Sequence, residues 1–442
     1  MNPVADKYAK HVNRPFVRLL GVLGYGRVFA RAKDVWIWDD EGRRYFDALA
    51  GFGSFNVGHN HPRVVRRVKE FLDSDALNVV HVGPSGPAAD LAEALATLAP
   101  PLDVALFSTG GGEAVESAMK LARAATGRGE FVSCDGGFHG TGPGALSIMG
   151  DDRMRRPFEP LLDGCARVPF GDAAALEKAV TNRTAAFVVE PIQAEGGVNV
   201  PLDGYLGAAR EICRRTGALL VVDEIQTGLG RTGRMLASDV VPDVLILGKS
   251  LGGGLAPVSA ALTTAEIHER AYGAMDTFDL HGATFSGHAL GCAAAMETLR
   301  VLADEKLAAG AEARGKQLID GLRARLDRHP MVRDIRGRGL LVGIELGPPG
   351  SGWLHDMAEA VSRQVFGQWV ALKLLERGFV CQPAAHRWNV LRLEPPLTVT
   401  AEQIDQLVDA VADVVETYRS MGRLVADVTG RAGRQLVRGW SF

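Results

Sequence analysis

Lys249 closes an unbroken apolar run, VLILG, and is followed by SLGGG. A lysine in that position is carried toward the interior, where lysine is rarely left without a partner. Burial lowers an amine's pKa and makes it a nucleophile able to form an imine with a carbonyl. The glycines behind it leave room for such a group to swing. Asp223 ends a second apolar run, LLVVDEIQTG. A lone strand-end aspartate is more often a helix cap or an ion-pair partner. Set beneath a pyridine nitrogen, it would hold that nitrogen protonated and make the ring an electron sink. A third segment, STGGGEAVESAMKLAR at 108–123, brings Gly110, Gly111 and Gly112 into a helix start. Glycine lets backbone approach an anion closely, and a helix N-terminus offers free N–H groups and a positive dipole end. The segment reads as a phosphate cup or as a plain Gly-rich turn. It is no Walker A loop, because no Gly-Lys-Ser/Thr follows. GLGRTG at 228–233 matches the dinucleotide spacing, but RMLASDVVPD after it does not read as the packed helix that fold needs, which argues against a nicotinamide site.

These residues need a scaffold that brings them together. From about residue 88, short apolar runs (DVALFS, AAFVVEPI, GALLVVDEI, PDVLILGKS) alternate with helical stretches such as GGEAVESAMKLARAAT and LGAAREICRRTG. That pattern predicts a mostly parallel sheet covered on both faces, with ligands beyond the carboxyl ends of its strands. Ser108, Glu190, Asp223 and Lys249 each end one of the runs, which sets them along one rim. Residues 35–47 read as two strands around an Asp-Glu-Gly turn, and Pro62 opens a helix. After residue 330 the alternation breaks into VRDIRGRGLLVGIELG, a strand pair, and NVLRLEPPLTVT, a strand stopped by Pro395 and Pro396. A final helix is capped by Thr400 with Gln403 in the capping-box position. The expected plan is α/β: a large domain over 66–328 and a smaller α+β domain built from 1–65 and 329–442.

The chain has 442 residues and a formal net charge of −3, so no electrostatic footprint for nucleic acid or an anionic membrane is present. Its five cysteines are scattered and form no C-x-x-C pair, which points to a reducing cytoplasm rather than disulfides or zinc. The first residues lack a signal peptide's apolar stretch, and no apolar run is long enough to span a bilayer. His59, His61 and His281 beside Gly-rich loops read as structural, with no metal implied. The tail at 423–442, with four arginines and no lysine, reads as packing on a partner subunit, or else as contact with a lipid-like substrate or membrane surface.

Taken in order, nine motifs resemble the class III (ornithine-type, ω-amino acid) aminotransferases of fold type I. They are GHNHP at 58–62, GGGEAVESAMKLAR, GGFHG at 136–140, EPIQAEGG at 190–197, DEIQTGLGRTG at 223–233, GKSLGGG at 248–254, TFSG at 284–287, RGRGLLVGIEL at 336–346 and LRLEPPLT at 391–398. The resemblance covers roughly residues 15–420 and implies a large domain with a seven-stranded-type sheet and bound pyridoxal 5'-phosphate. It implies that Lys249 holds the cofactor as an imine and shuttles the proton, and that Asp223 partners the pyridinium. Gln226 would bond the phenolic oxygen, Phe138 stack on the ring beside His139, and Gly110, Gly111 and Gly112 form the phosphate turn; Glu190 belongs to the same cofactor-binding set. Thr284 would reach the phosphate of the neighbouring subunit, which implies a homodimer with shared sites. Arg392 would grip a substrate carboxylate in a fork geometry, although it could be a strand-end ion pair. Gly112 replaces a larger residue, Ser250 replaces a frequent Ala, and TFSGHALG lacks an Asn-Pro; none of these removes a needed group.

Glu195 bears most on the substrate. In ornithine-type enzymes a Glu there masks the carboxylate-binding arginine while an ω-amine enters, then swings away for 2-oxoglutarate; an unmasked buried Arg would repel the amine. The alternative is an exposed loop Glu. Phe52 stands where ornithine-specific enzymes carry Tyr, and with Phe55 it suggests an apolar entrance. The expectation is therefore a ping-pong aminotransferase that acts on a diamine, an ω-amino acid or a longer apolar amine or aldehyde, with a keto acid as acceptor. The same scaffold also carries decarboxylating aminotransferases, racemases and aminomutases, and its motifs serve the cofactor rather than the outcome. A non-catalytic regulatory domain is disfavoured, since Lys249 and Arg392 are both present.

Overall fold

A computed structural model describes residues 2–23, 26–80, 82–348 and 353–438. Three strands near the start, β1 (Phe29–Lys33), β2 (Trp36–Asp39) and β3 (Arg44–Asp47), form an antiparallel meander. The middle of the chain supplies β4 (Val104–Ser108), β5 (Glu130–Cys134), β6 (Cys165–Val168), β7 (Thr184–Val189), β8 (Leu219–Asp223), β9 (Val244–Leu247) and β10 (Ser259–Thr263). These seven make one sheet in the order β4-β10-β9-β8-β7-β5-β6. Only β10 runs against its neighbours, and the other four pairings are parallel. Every residue of β7, β8, β9 and β10 is buried, as the unbroken apolar runs require when helices cover both faces.

The helix Gly111–Thr126 lays Ala114, Val115, Ala118, Leu121 and Ala122 into that core. Three of those five are alanines, so its axis lies close to the strands and its N-terminus is held at the sheet's rim. Gly127 ends the helix in the left-handed region (φ +66°), where glycine carries no Cβ penalty.

β11 (Val332–Arg338) and β12 (Leu341–Leu346) pair as predicted. They continue into β15 (Arg387–Leu393) and β14 (Gln382–Ala384), a four-stranded sheet in the order β11-β12-β15-β14. The intervening β13 (Phe379–Val380) instead pairs in parallel with β3, so residues from both ends of the chain share one small sheet. Thr400 and Gln403 make both bonds of the capping box that starts the helix Ala401–Glu416. The described part of the tail, in the helix Met421–Arg438, turns back on its own chain. Arg431 pairs with Glu376 at the end of the helix Trp353–Glu376, and Asp427 accepts from the Tyr418 hydroxyl at 2.6 Å. The tail's last four residues and the side chains of 432–438 lie outside the described residues.

Candidate active site

The carboxyl ends of β7, β8 and β9 deliver Glu190, Asp223 and Lys249 to one cavity of about 210 Å³, lined also by Gly111, Gly112, Phe138, His139, Gly140, Ile225 and Gln226. Eight residues singled out in the sequence thus meet there. Ser108, on the same rim, does not line the cavity: its hydroxyl pairs with Ser117 at 3.1 Å beneath the helix that follows β4. Antiparallel β10 leaves β4 running the same way as β9, so Ser108 does end on that rim; it is the following Gly111 and Gly112 that reach the cavity.

Lys249 does not extend β9. Gly248 intervenes, and Lys249 opens a short 3₁₀ turn with φ +45°, a strained value for a side chain with a Cβ. Its ammonium donates to the Gln226 side-chain oxygen. Burial pulls the Lys249 pKa below the usual lysine value, and the nearby carboxylates of Glu394 and Glu195 offset only part of that.

Asp223 is buried, with one carboxylate oxygen accepting from the Ile225 N–H at 3.0 Å and the other facing His139 Nδ1 at 2.9 Å. Burial alone would keep His139 neutral. The bond to Asp223, with the charges of Asp223 and Glu190, outweighs it and leaves the imidazole's pKa raised. Glu190 accepts from the Phe138 N–H at 2.9 Å and so fixes the aromatic residue's backbone; burial raises its own carboxyl to about 7.

The glycine cup is a close approach of two loops. Gly110 is the N-cap of the helix Gly111–Thr126, and the side chain of Glu113 accepts from Thr109 N–H and Oγ1. A Cβ on Gly111 would meet Ile225 at 2.9 Å, and one on Gly140 would meet the Gly112 backbone at 2.6 Å. Only glycine fits at 140, and a side chain at 111 would have to push Ile225 aside. A Cβ on Gly110 would meet nothing within 4 Å, so the helix N-terminus opens onto free space there. Free helix N–H groups, an aromatic face, a buried carboxylate and a desolvated lysine are the four surfaces that a phosphorylated pyridine aldehyde needs. The lining fits pyridoxal 5'-phosphate.

Beside the lysine lies a second cluster. Arg392 and Glu195, one on β15 and the other in the loop after β7, form a 2.5 Å ion pair. Both are buried, so Glu195 is no exposed loop residue. Its other oxygen accepts from the Ala385 N–H at 2.9 Å. Burial opposes ionisation of Glu195, but Arg392 and Lys249 hold its pKa below the ordinary range. Phe52 lies against the Arg392 guanidinium, 5.1 Å from the ring centroid. It sits in a left-handed turn in which Ala50, Gly51, Phe52 and Gly53 all have positive φ (48°, 57°, 60° and 79°). Phe55, like Phe52, Arg392 and Glu195, is not among the residues that line the cavity itself. Its ring packs on His59, centroids 4.0 Å apart, and His59 bonds Asp47 at 2.7 Å. Thr284 is exposed on a loop and does not line this chain's cavity.

Glu394 carries no role in the sequence reading, yet its carboxylate is fully buried in this cluster. It accepts from Gln226 Nε2 at 3.0 Å and lies 3.5 Å from Arg392 Nε and 3.8 Å from Arg231 Nε. A glutamate between an apolar strand and Pro395-Pro396 was the one available signal. The GLGRTG segment belongs to the same cluster: its Arg231 is buried and donates to the backbone oxygens of Leu340 and Pro395 and to Asn56. Among the described residues, no helix is long and apolar enough to cross a membrane, and no group of three or more His, Cys, Asp or Glu could hold a metal ion.

Comparison with known proteins agrees with this lining. Residues 24–415 match the family described as aminotransferase class-III. The aminotransferase PigE of Serratia sp. is 35% identical over 93% of this chain, and the chain spans 53% of that relative's length. Among solved structures, the ornithine aminotransferase of Toxoplasma gondii is 36% identical (TM-score 0.78), with 89% of this chain and 91% of that one covered. An (S)-enantioselective omega-transaminase from Thermomicrobium roseum is 31% identical (TM-score 0.85), with 93% and 98% covered. This chain belongs to the class III aminotransferases, enzymes that work through pyridoxal 5'-phosphate.

Proposed function

We propose that the enzyme moves an amino group between a terminal amine and a keto acid such as 2-oxoglutarate, in two half-reactions at one site. The amine is a diamine, an ω-amino acid or a longer apolar amine or its aldehyde. The observation that carries this reading is the buried Arg392–Glu195 pair beside Lys249. A fully buried arginine beside the reacting amine would repel a cationic donor unless masked, and Glu195 masks it. A carboxylate-bearing partner takes Glu195's place on the guanidinium when Glu195 turns aside. One site then serves two substrates of opposite charge.

The roles follow from the surroundings. Pyridoxal phosphate, when bound, supplies a protonated ring that takes up the electron pair left as the donor's C–H bond breaks. Lys249 binds the cofactor and moves the proton; its desolvated amine is the base available at the cavity wall. Asp223 holds the ring nitrogen protonated, and His139 orients Asp223 from behind. Phe138 covers a ring face. Gln226 reaches the ring oxygen and orients Lys249, Glu190 fixes the Phe138 backbone, and Gly110 to Gly112 receive the phosphate. Phe52 offers Arg392 an aromatic face and no hydroxyl, which suits a donor lacking a second polar group at that point.

The protein acts as a cytoplasmic homodimer in this reading, with Thr284 lent to the partner's phosphate site. Exposed Met275, Phe278, Leu280 and Phe285 around Thr284 support a second copy covering that loop. The reading also keeps the division into a large domain over 66–328 and a small one from 1–65 and 329–442. The test is an absorbance spectrum of the holoenzyme, taken before and after putrescine and then 2-oxoglutarate. Loss of the cofactor's visible band with the amine and its return with the keto acid is the expected result. A band that answers neither substrate would sink the substrate pairing.

A further inference from the structure

Four buried charges alternate along one line: Arg231, Glu394, Arg392 and Glu195. Their successive separations are 3.8, 3.5 and 2.5 Å. The two carboxylates that flank Arg392 differ in what restrains them. Glu195 is tied by Arg392 and by one backbone N–H, that of Ala385, from a loop. Glu394 has nowhere to go. Both of its oxygens accept from Gln226 Nε2, the two arginine Nε atoms face it, and its own N–H bonds the Ala48 carbonyl at 2.8 Å. Gly53 presses close to it, where a Cβ would fall 2.6 Å from its Oε1. Meanwhile Arg392 Nη2 is buried with no hydrogen-bond partner, which leaves an edge of the guanidinium for a ligand.

We propose that Glu394 is a specificity-determining residue: a fixed counter-charge that disfavours a dicarboxylate on Arg392 and favours a donor carrying a second cationic amine. The proposal rests on the reading of Arg392 and Glu195 as the substrate gate. When Glu195 swings out, a docking carboxylate must share Arg392 with a resident carboxylate a few ångströms away. At that range, between buried groups, unit charges interact strongly. The same resident charge draws in an ammonium group. A gate with one movable arm would switch between neutral and cationic. With Arg231 counted, the line is still neutral with Glu195 in and singly positive with it out, but Glu394 stands between the two arginines, so at Arg392 the nearer carboxylate is the charge that a ligand meets and the preference tilts toward the diamine. Glu394 also reaches Lys249 through Gln226, so the counter-charge and the reacting amine share one hydrogen-bonded chain.

The experiment compares the wild-type holoenzyme with Glu394→Gln, an isostere that keeps an oxygen for Gln226. Two constants are measured: KM for putrescine and the inhibition constant of glutarate, a dicarboxylate with no keto group. The expected result is opposite movement: putrescine KM rises about tenfold and the glutarate constant falls several-fold. Glu394→Asp, which draws the carboxylate back by one methylene, moves both constants in the same senses but less far, and decides the matter if Glu394→Gln fails to fold. Parallel weakening of both ligands, or no change in either, would overturn the proposal and leave Glu394 as a neutraliser of Arg231 and Arg392. Failure of the underlying gate reads differently. If Arg392→Gln leaves wild-type glutarate inhibition intact, the carboxylate does not dock there, and the proposal falls with that reading.

Discussion

The strand-end cluster that lines the cavity and the charged cluster beside it, proposed as the cofactor side and the substrate side, are built by different means. Lys249, Asp223 and Glu190 stand at the ends of three adjacent parallel strands, each locked in an all-buried run. Arg392, Glu394, Glu195 and Phe52 come from three segments far apart in sequence and meet around a left-handed turn at 50–53. The first group inherits its geometry from the sheet. The second has it only because four buried charges neutralise one another in alternation. A site resting on a rigid sheet is suited to hold one ligand throughout, while a cluster of balanced charges can rearrange between two.

This contrast breaks if substitutions on the two sides act alike. The largest effect is expected from Lys249→Ala, with turnover in both half-reactions lowered by at least about 10⁴-fold. Steady-state assays check it, and appreciable turnover would refute the role of Lys249. Asp223→Asn should slow both halves roughly 10²- to 10³-fold, the loss typical of removing one preorganised electrostatic partner. Gly53→Ala probes the second cluster's frame. It forces a Cβ into a φ of +79° and onto the Glu394 carboxylate, at an expected cost of about 1–3 kcal/mol, measured by denaturant unfolding. A neutral outcome would mean that the left-handed turn is not over-determined. Glu195→Gln should divide the halves, lowering kcat/KM for a diamine about tenfold while sparing 2-oxoglutarate. An equal loss in both would merge the two regions into one.

The smallest effect concerns pH. Glu224, next to Asp223 but turned away from the cavity, accepts from the N–H groups of Ala237 and Ser238, and burial raises its carboxyl from 4.5 to about 7. Because the folded pKa is the higher one, the folded state binds the proton more tightly. That stabilisation is complete below the unfolded value and is lost as pH rises through about 7. Thermal unfolding of the cofactor-free protein should therefore fall by a few degrees between about pH 5 and about pH 8, and Glu224→Gln should flatten the fall. An unchanged slope in the variant would assign the pH response elsewhere, with Glu190 next in line because burial raises it in the same direction.

Much of the cofactor side was legible in the chain itself. Apolar runs of four to six residues ending in Glu190, Asp223 and Lys249 announced parallel strands and their rim, and glycines at 110–112 announced the helix start that borders the cavity. Ser108 does end a strand on that rim, but nothing in its spacing shows that its hydroxyl pairs with Ser117 instead of facing the cavity. The packing of the Phe55 ring on His59 was not legible, because an aromatic residue in a Gly-rich loop carries no sign of what it faces. Glu394 went unassigned because the hydrogen-bond donor that holds its carboxylate is remote in the chain: Gln226 lies 168 positions away.

By itself the sequence determined the period of each element, the strand-end positions of the cofactor residues and the family of the chain. These are local properties, written in apolar runs, glycines and caps. Tertiary structure alone decided that Glu195, Arg392, Glu394 and Arg231 form one alternating line and that a strained turn lays Phe52 over it. Charge balance among buried groups depends on distances between segments, and no spacing along a chain encodes a distance through space.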